Sequence, residues 1–302
     1  MLANFFSKSK PVNFLVLFLL FLCFYIAGLF SREITIGIIG KELFFFITLF
    51  SIYNFIILKN ELTFDNSFAY FFYTILVLFF VRNISISTLF YANLTSLLFI
   101  RKVYSLQSTK NIFQKLFDGG LWLGISFIIE PMTIVFTPLV FASVFLHQQL
   151  TYKTIFTPIL GFLSPIILYF TYCYWYDFTE HFFQLYHWWE VPFDFNLYKQ
   201  AKYLFPVAFT GLFTLVSLFL KTPKTLAILN RFRKNWLLIL LHLLLSGIVF
   251  ILIPKKSGVE FLFLLFPTSV ILANGIELFQ KKWYTDVLMI CFIIASVVTF
   301  IL

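Results

Sequence analysis

Long uncharged apolar blocks separated by short polar breaks dominate this chain. A block of about 18 residues, wound as α-helix, crosses a hydrocarbon layer of about 30 Å. Lipid offers no partner to backbone N–H and C=O groups, so a spanning segment must be a helix or belong to a closed barrel. Barrel strands would alternate polar and apolar residues over about ten positions. These blocks do not alternate, which predicts an all-α, polytopic membrane helix bundle. About eleven spans are expected, at roughly 12–30, 42–58, 66–81, 84–100, 117–130, 132–148, 155–176, 203–220, 235–253, 260–279 and 283–302. The two runs flanking Glu130 and Pro131 are short and can also be read as one broken or re-entrant hairpin. Lys8 and Lys10 precede the first run as in a secretory signal. That run is too long, however, and lacks a small-residue cleavage site before Ser31-Arg32-Glu33, so it is expected to stay as a helix.

Composition agrees. Of 302 residues, 61% are hydrophobic and 12% charged, where a soluble domain carries about 25% charged residues. The whole chain, 1–302, therefore reads as one transmembrane domain. Its longest stretch outside the spans, 177–202, mixes acids and histidines with Trp188, Trp189, Phe182, Phe183 and Phe193. Such a mixture suits an amphipathic segment lying at headgroup level on the outer side. Cys23, Cys173 and Cys291 are far apart within apolar runs and read as small hydrophobes.

The net charge of +9 follows from the positive-inside rule and does not call for nucleic acid. With the N-terminus cytoplasmic, 15 of the 22 Lys and Arg fall on the inner side and 7 on the outer. Most acids, including Glu33, Glu42, Glu130 and Glu260, then fall outside. The expected placement is the cell inner membrane, with the N-terminus cytoplasmic and the C-terminus periplasmic.

Ionisable groups near a membrane are costly, and each carries a structural and a functional reading. Glu33, between Arg32 and Lys41-Glu42, is either a solvated loop charge or a general base or substrate ligand whose proton affinity is raised by desolvation. Glu130 precedes a proline that disfavours helix at its own position; it is a solvated turn or part of a cavity lining. Lys255 and Lys256 form a basic pair on the outer side, useful to an anionic ligand such as a lipid phosphate, or else an ordinary turn. His187 and Glu190 share a helical face that His181 does not, and no zinc spacing is present, so no metal is expected. His147 and His242 read as hydrogen-bonded packing residues. Gly120 and Gly124 permit close helix contact. Phosphate loops, dinucleotide fingerprints, haem-attachment motifs and G-x-S-x-G are absent from the sequence. The spans also lack the charged series of a proton pump or voltage sensor. No cofactor is implied.

Two stretches resemble the GT-C superfamily of polyprenyl-phosphate-sugar glycosyltransferases. The first runs from Leu116 through Asp118-Gly119-Gly120 and the break at Glu130-Pro131 to Leu146. The second runs from Lys255-Lys256 through Pro267 to Phe279. The opening segment, Asn4 to Asn13, resembles an uncharacterised polytopic membrane family of Bacteroidota. The GT-C resemblance implies Glu33 as catalytic base, Lys255 and Lys256 as contacts to a lipid phosphate, and a polyprenyl-phosphate-linked sugar as substrate. A paired acidic motif in the first outer loop and a large outer domain, both common there, are missing. The expected function is thus a GT-C-like glycosyl transfer or lipid-linked glycan step at the outer face. Two alternatives are a non-enzymatic subunit scaffolding other membrane proteins, and a lipid or small-molecule transporter.

Overall fold

The computed structural model describes residues 1–29, 36–81, 86–186, 194–227, 231–254 and 256–302. All regular structure among them is helical: α1 (Leu2–Phe6), α2 (Pro11–Leu29), α3 (Ile36–Asn60), α4 (Phe68–Leu78), α5 (Thr88–Ser105), α6 (Ile112–Ile129), α7 (Thr137–Leu146), α8 (Tyr152–Trp175), α9 (Thr179–Gln184), α10 (Ala201–Leu226), α11 (Arg231–Leu252), α12 (Leu262–Ile276) and α13 (Lys282–Ile301), with short 3-10 turns at Pro131–Phe136, Asn196–Lys199 and Val259–Phe261. Eight of these helices are long and apolar enough to cross a membrane. The other three expected runs fall on α4, on Pro131–Leu146 and on α5. α4 has 11 residues, about 16 Å of helix, and α5 carries Arg101 and Lys102 inside its length.

The chain forms two compact units. The first holds Met1–Ser85, Phe195–Ile239 and Ser257–Leu302, and the second Ile86–Asp194 and Leu240–Lys256. In the first, α12 is the central helix: 94% of the Val259–Ile276 segment is buried, against α4 and α10. Tyr53 stacks on Tyr73 with centroids 3.7 Å apart. The Tyr53 hydroxyl donates to Ala69 O at 3.0 Å and meets Ser269 Oγ at 2.7 Å, so this buried phenol is satisfied inside the apolar core.

Contacts between termini show that the helices of the first unit alternate in direction. One end gathers the start of α2, the end of α3, the start of α4, the ends of α10 and α12, and the starts of α11 and α13. Asn13 Nδ2 donates to Ser67 Oγ, Trp236 Nε1 to Thr222 Oγ1, Asn66 Nδ2 to Glu277 Oε1 and Lys282 Nζ to Asn4 Oδ1. Lys8, Lys10, Lys59, Lys221, Lys224, Arg231, Arg233, Lys234, Lys281 and Lys282 all sit on the elements meeting there. The described cations at the opposite end are Lys41, Lys199 and Lys202.

In the second unit α5 and α6 run antiparallel, joined by Ser96 Oγ to Ser126 Oγ at 2.8 Å and by the Lys102–Asp118 ion pair at 2.6 Å. α6 and α8 meet backbone to backbone. A Cβ on Gly120 would lie 2.0 Å from Pro158 O, one on Gly124 2.4 Å from Phe162 O, and one on Gly161 2.2 Å from Phe117 O. Close approach at small residues is how helices gain packing energy where lipid removes the hydrophobic drive. Pro165 cannot donate to Gly161 O, and Ser164 Oγ does so instead at 2.8 Å. α8 opens with a capping box in which Thr151 and Thr154 exchange side-chain and backbone bonds. The break foreseen at Glu130-Pro131 is present: Glu130 is extended (φ −143°, ψ 104°) and a six-residue 3-10 turn follows. α7 then returns alongside α5, with Ser143 Oγ on Val103 O and Gln149 Nε2 on Leu106 O.

Candidate functional site

At the basic end of the first unit, the last turns of α10 and α12 and the first turns of α11 enclose a cavity of about 70 Å³. Leu62, Phe64, Phe232, Trp236 and Ile239 give it apolar walls, while Lys221, Thr225, Asn235 and Asn274 bring polar atoms. The amide nitrogens are already committed: Asn274 Nδ2 donates to Leu62 O at 3.1 Å and Asn235 Nδ2 to Asn60 O at 3.3 Å. These two bonds hold the chain after α3 against α11 and α12 and so shape the wall.

Lys221 is different. Its side chain is 12% exposed, and its ammonium stands 3.6 Å from Glu277 Oε2 and 5.4 Å from the centroid of the Phe64 ring. The first distance makes an ion pair and not a hydrogen bond. Among the described residues no acceptor other than Glu277 stands near the Lys221 ammonium, so its N–H groups are left to face the cavity. Glu277, 6% exposed, ends the membrane-length Val259–Ile276 segment. Its Oε1 accepts from Asn66 Nδ2 at 2.6 Å and from Phe64 N at 3.3 Å. Burial raises the Glu277 carboxyl above the usual carboxylate range, against the opposing pull of Asn66, Lys221 and Phe64.

The residues singled out from sequence are distributed otherwise. Glu33 and Lys255 lie outside the described residues, as do His187, Trp188, Trp189 and Glu190. Lys256 folds back onto the end of α11: its Nζ donates to the carbonyls of Phe250 and Ile251 and lies 5.2 Å from the Phe250 ring centroid. A cation on the last carbonyls caps the helix and complements its dipole. Glu130 caps α6 and is half-buried, with Met132 N–H directed at its carboxyl; burial raises its proton affinity. Thr133 Oγ1 donates to its backbone O at 2.9 Å. Glu260, counted from the sequence among the outer-side acids, is fully buried. It accepts from the Tyr198 hydroxyl at 2.6 Å, from Ser257 N at 3.0 Å and from Ser257 Oγ at 3.2 Å. Burial, and then the Glu260 charge, raise Tyr198 above the ordinary phenol range. His242 is buried against Tyr104 (Nδ1 to OH 3.4 Å) and Phe136, the packing role expected for it.

Sequence reasoning counted Lys221 only as an inner-side charge and did not single out Glu277. A signal for Glu277 existed: an acid inside the run expected at about 260–279 is a functional candidate by its cost alone.

The described helices define an all-α protein with eight segments fit to cross a membrane, hence a multi-pass membrane protein. Across residues 1–302 the chain matches the profile of DUF6427, a family of unknown function, and it belongs to that family. No curated protein and no solved structure matches it.

Proposed function

We propose that this protein binds the phosphate-bearing, anionic head of a membrane lipid in the cavity beside Lys221. The Lys221 ammonium at the cavity wall, which among the described residues donates no hydrogen bond within 3.5 Å, carries this reading. Its Nζ lies at the cavity wall, where an anionic oxygen would make charge-assisted bonds with it. The volume suits a compact group: a water needs about 10–15 Å³, so about 70 Å³ leaves room for a phosphate. The surrounding cations raise the local concentration of anions.

In this reading the basic end of the first unit faces the cytoplasm of an inner membrane, as charge asymmetry favours, and all eleven apolar segments cross. Reporter fusions after Lys115 and Lys234 are then cytoplasmic, and fusions after Asp194 and at Leu302 periplasmic. Both termini mapping to one side would end the eleven-crossing scheme. Glycosyl transfer from a polyprenyl-phosphate sugar, with Glu33 as base and Lys255, Lys256 and Glu130 at the substrate, is a separate proposal for the outer face. It rests on the GT-C resemblance alone.

Phosphatidylglycerol retention, measured by native mass spectrometry of protein purified in nanodiscs, tests the cavity. The double variant Lys221→Met/Glu277→Gln removes the cation without leaving a lone buried carboxylate, and should lose at least about tenfold in retention, one charge-assisted contact's worth. Lys281→Gln/Lys282→Gln, on the exposed surface, should lose little. Free phosphate competing as well as the lipid would identify a soluble anion as the ligand, and equal retention by the double variant would end the reading.

A further inference from the structure

We propose that Glu277 is a proton-operated gate on the Lys221 site, so that protonating this carboxylate releases Lys221 to an incoming anion and ionising it withdraws the cation again. The inference rests on the anion-binding reading above and concerns its regulation.

The geometry separates the two oxygens of Glu277. Oε1 is held by Asn66 Nδ2 at 2.6 Å and Phe64 N at 3.3 Å. Oε2 is buried and accepts no hydrogen bond, with the Lys221 ammonium 3.6 Å away. Oε2 is therefore the oxygen that can take a proton without breaking a hydrogen bond. The proton comes from water at the basic end, and the carboxylate becomes a neutral acid still anchored through Oε1. Lys221 then carries an uncompensated charge at the cavity wall. With Glu277 ionised, an anion on Lys221 would share a poorly solvated space with a second negative charge, which is unfavourable at this range.

Among the described residues Lys221 is the one charged group acting on Glu277; Asn66 and the Phe64 N–H are neutral donors. Glu61 and Asp65, in the same connection, are exposed. Burial moves the Glu277 proton affinity upward. Linkage makes the effect reciprocal: a bound anion raises that affinity further, and a bound proton tightens the anion.

The test measures phosphatidylglycerol binding in nanodiscs between pH 5 and 8, because a phosphodiester keeps its single charge throughout. Wild-type affinity should rise as pH falls, by at most about tenfold per pH unit for one linked proton. Glu277→Gln should bind tightly with a flat profile. The four histidines of the sequence are all retained in Glu277→Gln, so their titration does not account for a slope lost in that variant. Asn66→Ala removes the 2.6 Å donor to the carboxylate and should move the wild-type transition to higher pH; it keeps the gate testable should Glu277→Gln fail to fold. A slope that survives in Glu277→Gln, or an Asn66→Ala transition that stays put or moves down, overturns the gate and leaves the anion site standing. If wild type retains no more lipid than Lys221→Met/Glu277→Gln at any pH, the site itself fails.

Discussion

Gly120→Val should destabilise the second unit by about 3 kcal/mol, the upper part of the range for overpacking, and lower the detergent-solubilised melting temperature accordingly. The reason is steric and local. The first added carbon would already stand 2.0 Å from Pro158 O and 2.8 Å from Phe162 N, and both are backbone atoms that cannot rotate away. Gly161→Ala presses on Phe117 O from the other side and should cost nearly as much. Gly211 of α10 is the control, since a Cβ there meets nothing within 4 Å. Gly211→Ala should be neutral or stabilise by up to about 1 kcal/mol through helix propensity. Equal melting temperatures for the Gly120 and Gly211 variants would mean that α6 and α8 are not in backbone contact.

A loss of about 3 kcal/mol is likewise expected for Glu260→Leu. Its carboxylate is fully buried and gathers three donors from two segments, the Asn196–Lys199 turn through Tyr198 and the start of the Val259–Phe261 turn through Ser257. Leucine would remove the charged acceptor shared by the Tyr198 hydroxyl and Ser257, and hydrogen bonds to a charged group contribute about 1.5–3 kcal/mol. Glu260→Gln keeps an acceptor and should cost about 1 kcal/mol, as should Tyr198→Phe. Chemical or thermal unfolding of the three variants checks the order, and a leucine variant as stable as the glutamine one would remove the anchoring role.

The α6 glycine pair was visible in the sequence as a spacing of four, but its partner was not. Gly161 lies on α8 beside Pro158 and Pro165, a context that by itself suggests only a bent helix. Glu260 and Glu277 show the same division. Both sit near the ends of one apolar run: the cost of an acid there marks it as a candidate, but only its distant partners show whether it is buried. Tyr198 is 62 residues from Glu260, and Asn66 is 211 from Glu277.

What the sequence determined by itself is the class of the protein, its apolar segments, the helix break at Glu130-Pro131 and the imbalance of positive charge. All of these follow from hydrophobicity, proline stereochemistry and charge counts, which act over a few residues at a time. Tertiary structure alone decided which helix face packs and which carboxylates are buried. In water, an apolar face marks the core. In lipid, hydrocarbon tails are as apolar as leucine, so the contrast that would orient a helix disappears. α12 and α13 are both strongly apolar, yet 94% of the first segment's residues are buried and 33% of the second's. α12 packs against both α4 and α10, and bonds such as Tyr53–Ser269 and Asn274–Leu62 tie it to positions far apart in the chain.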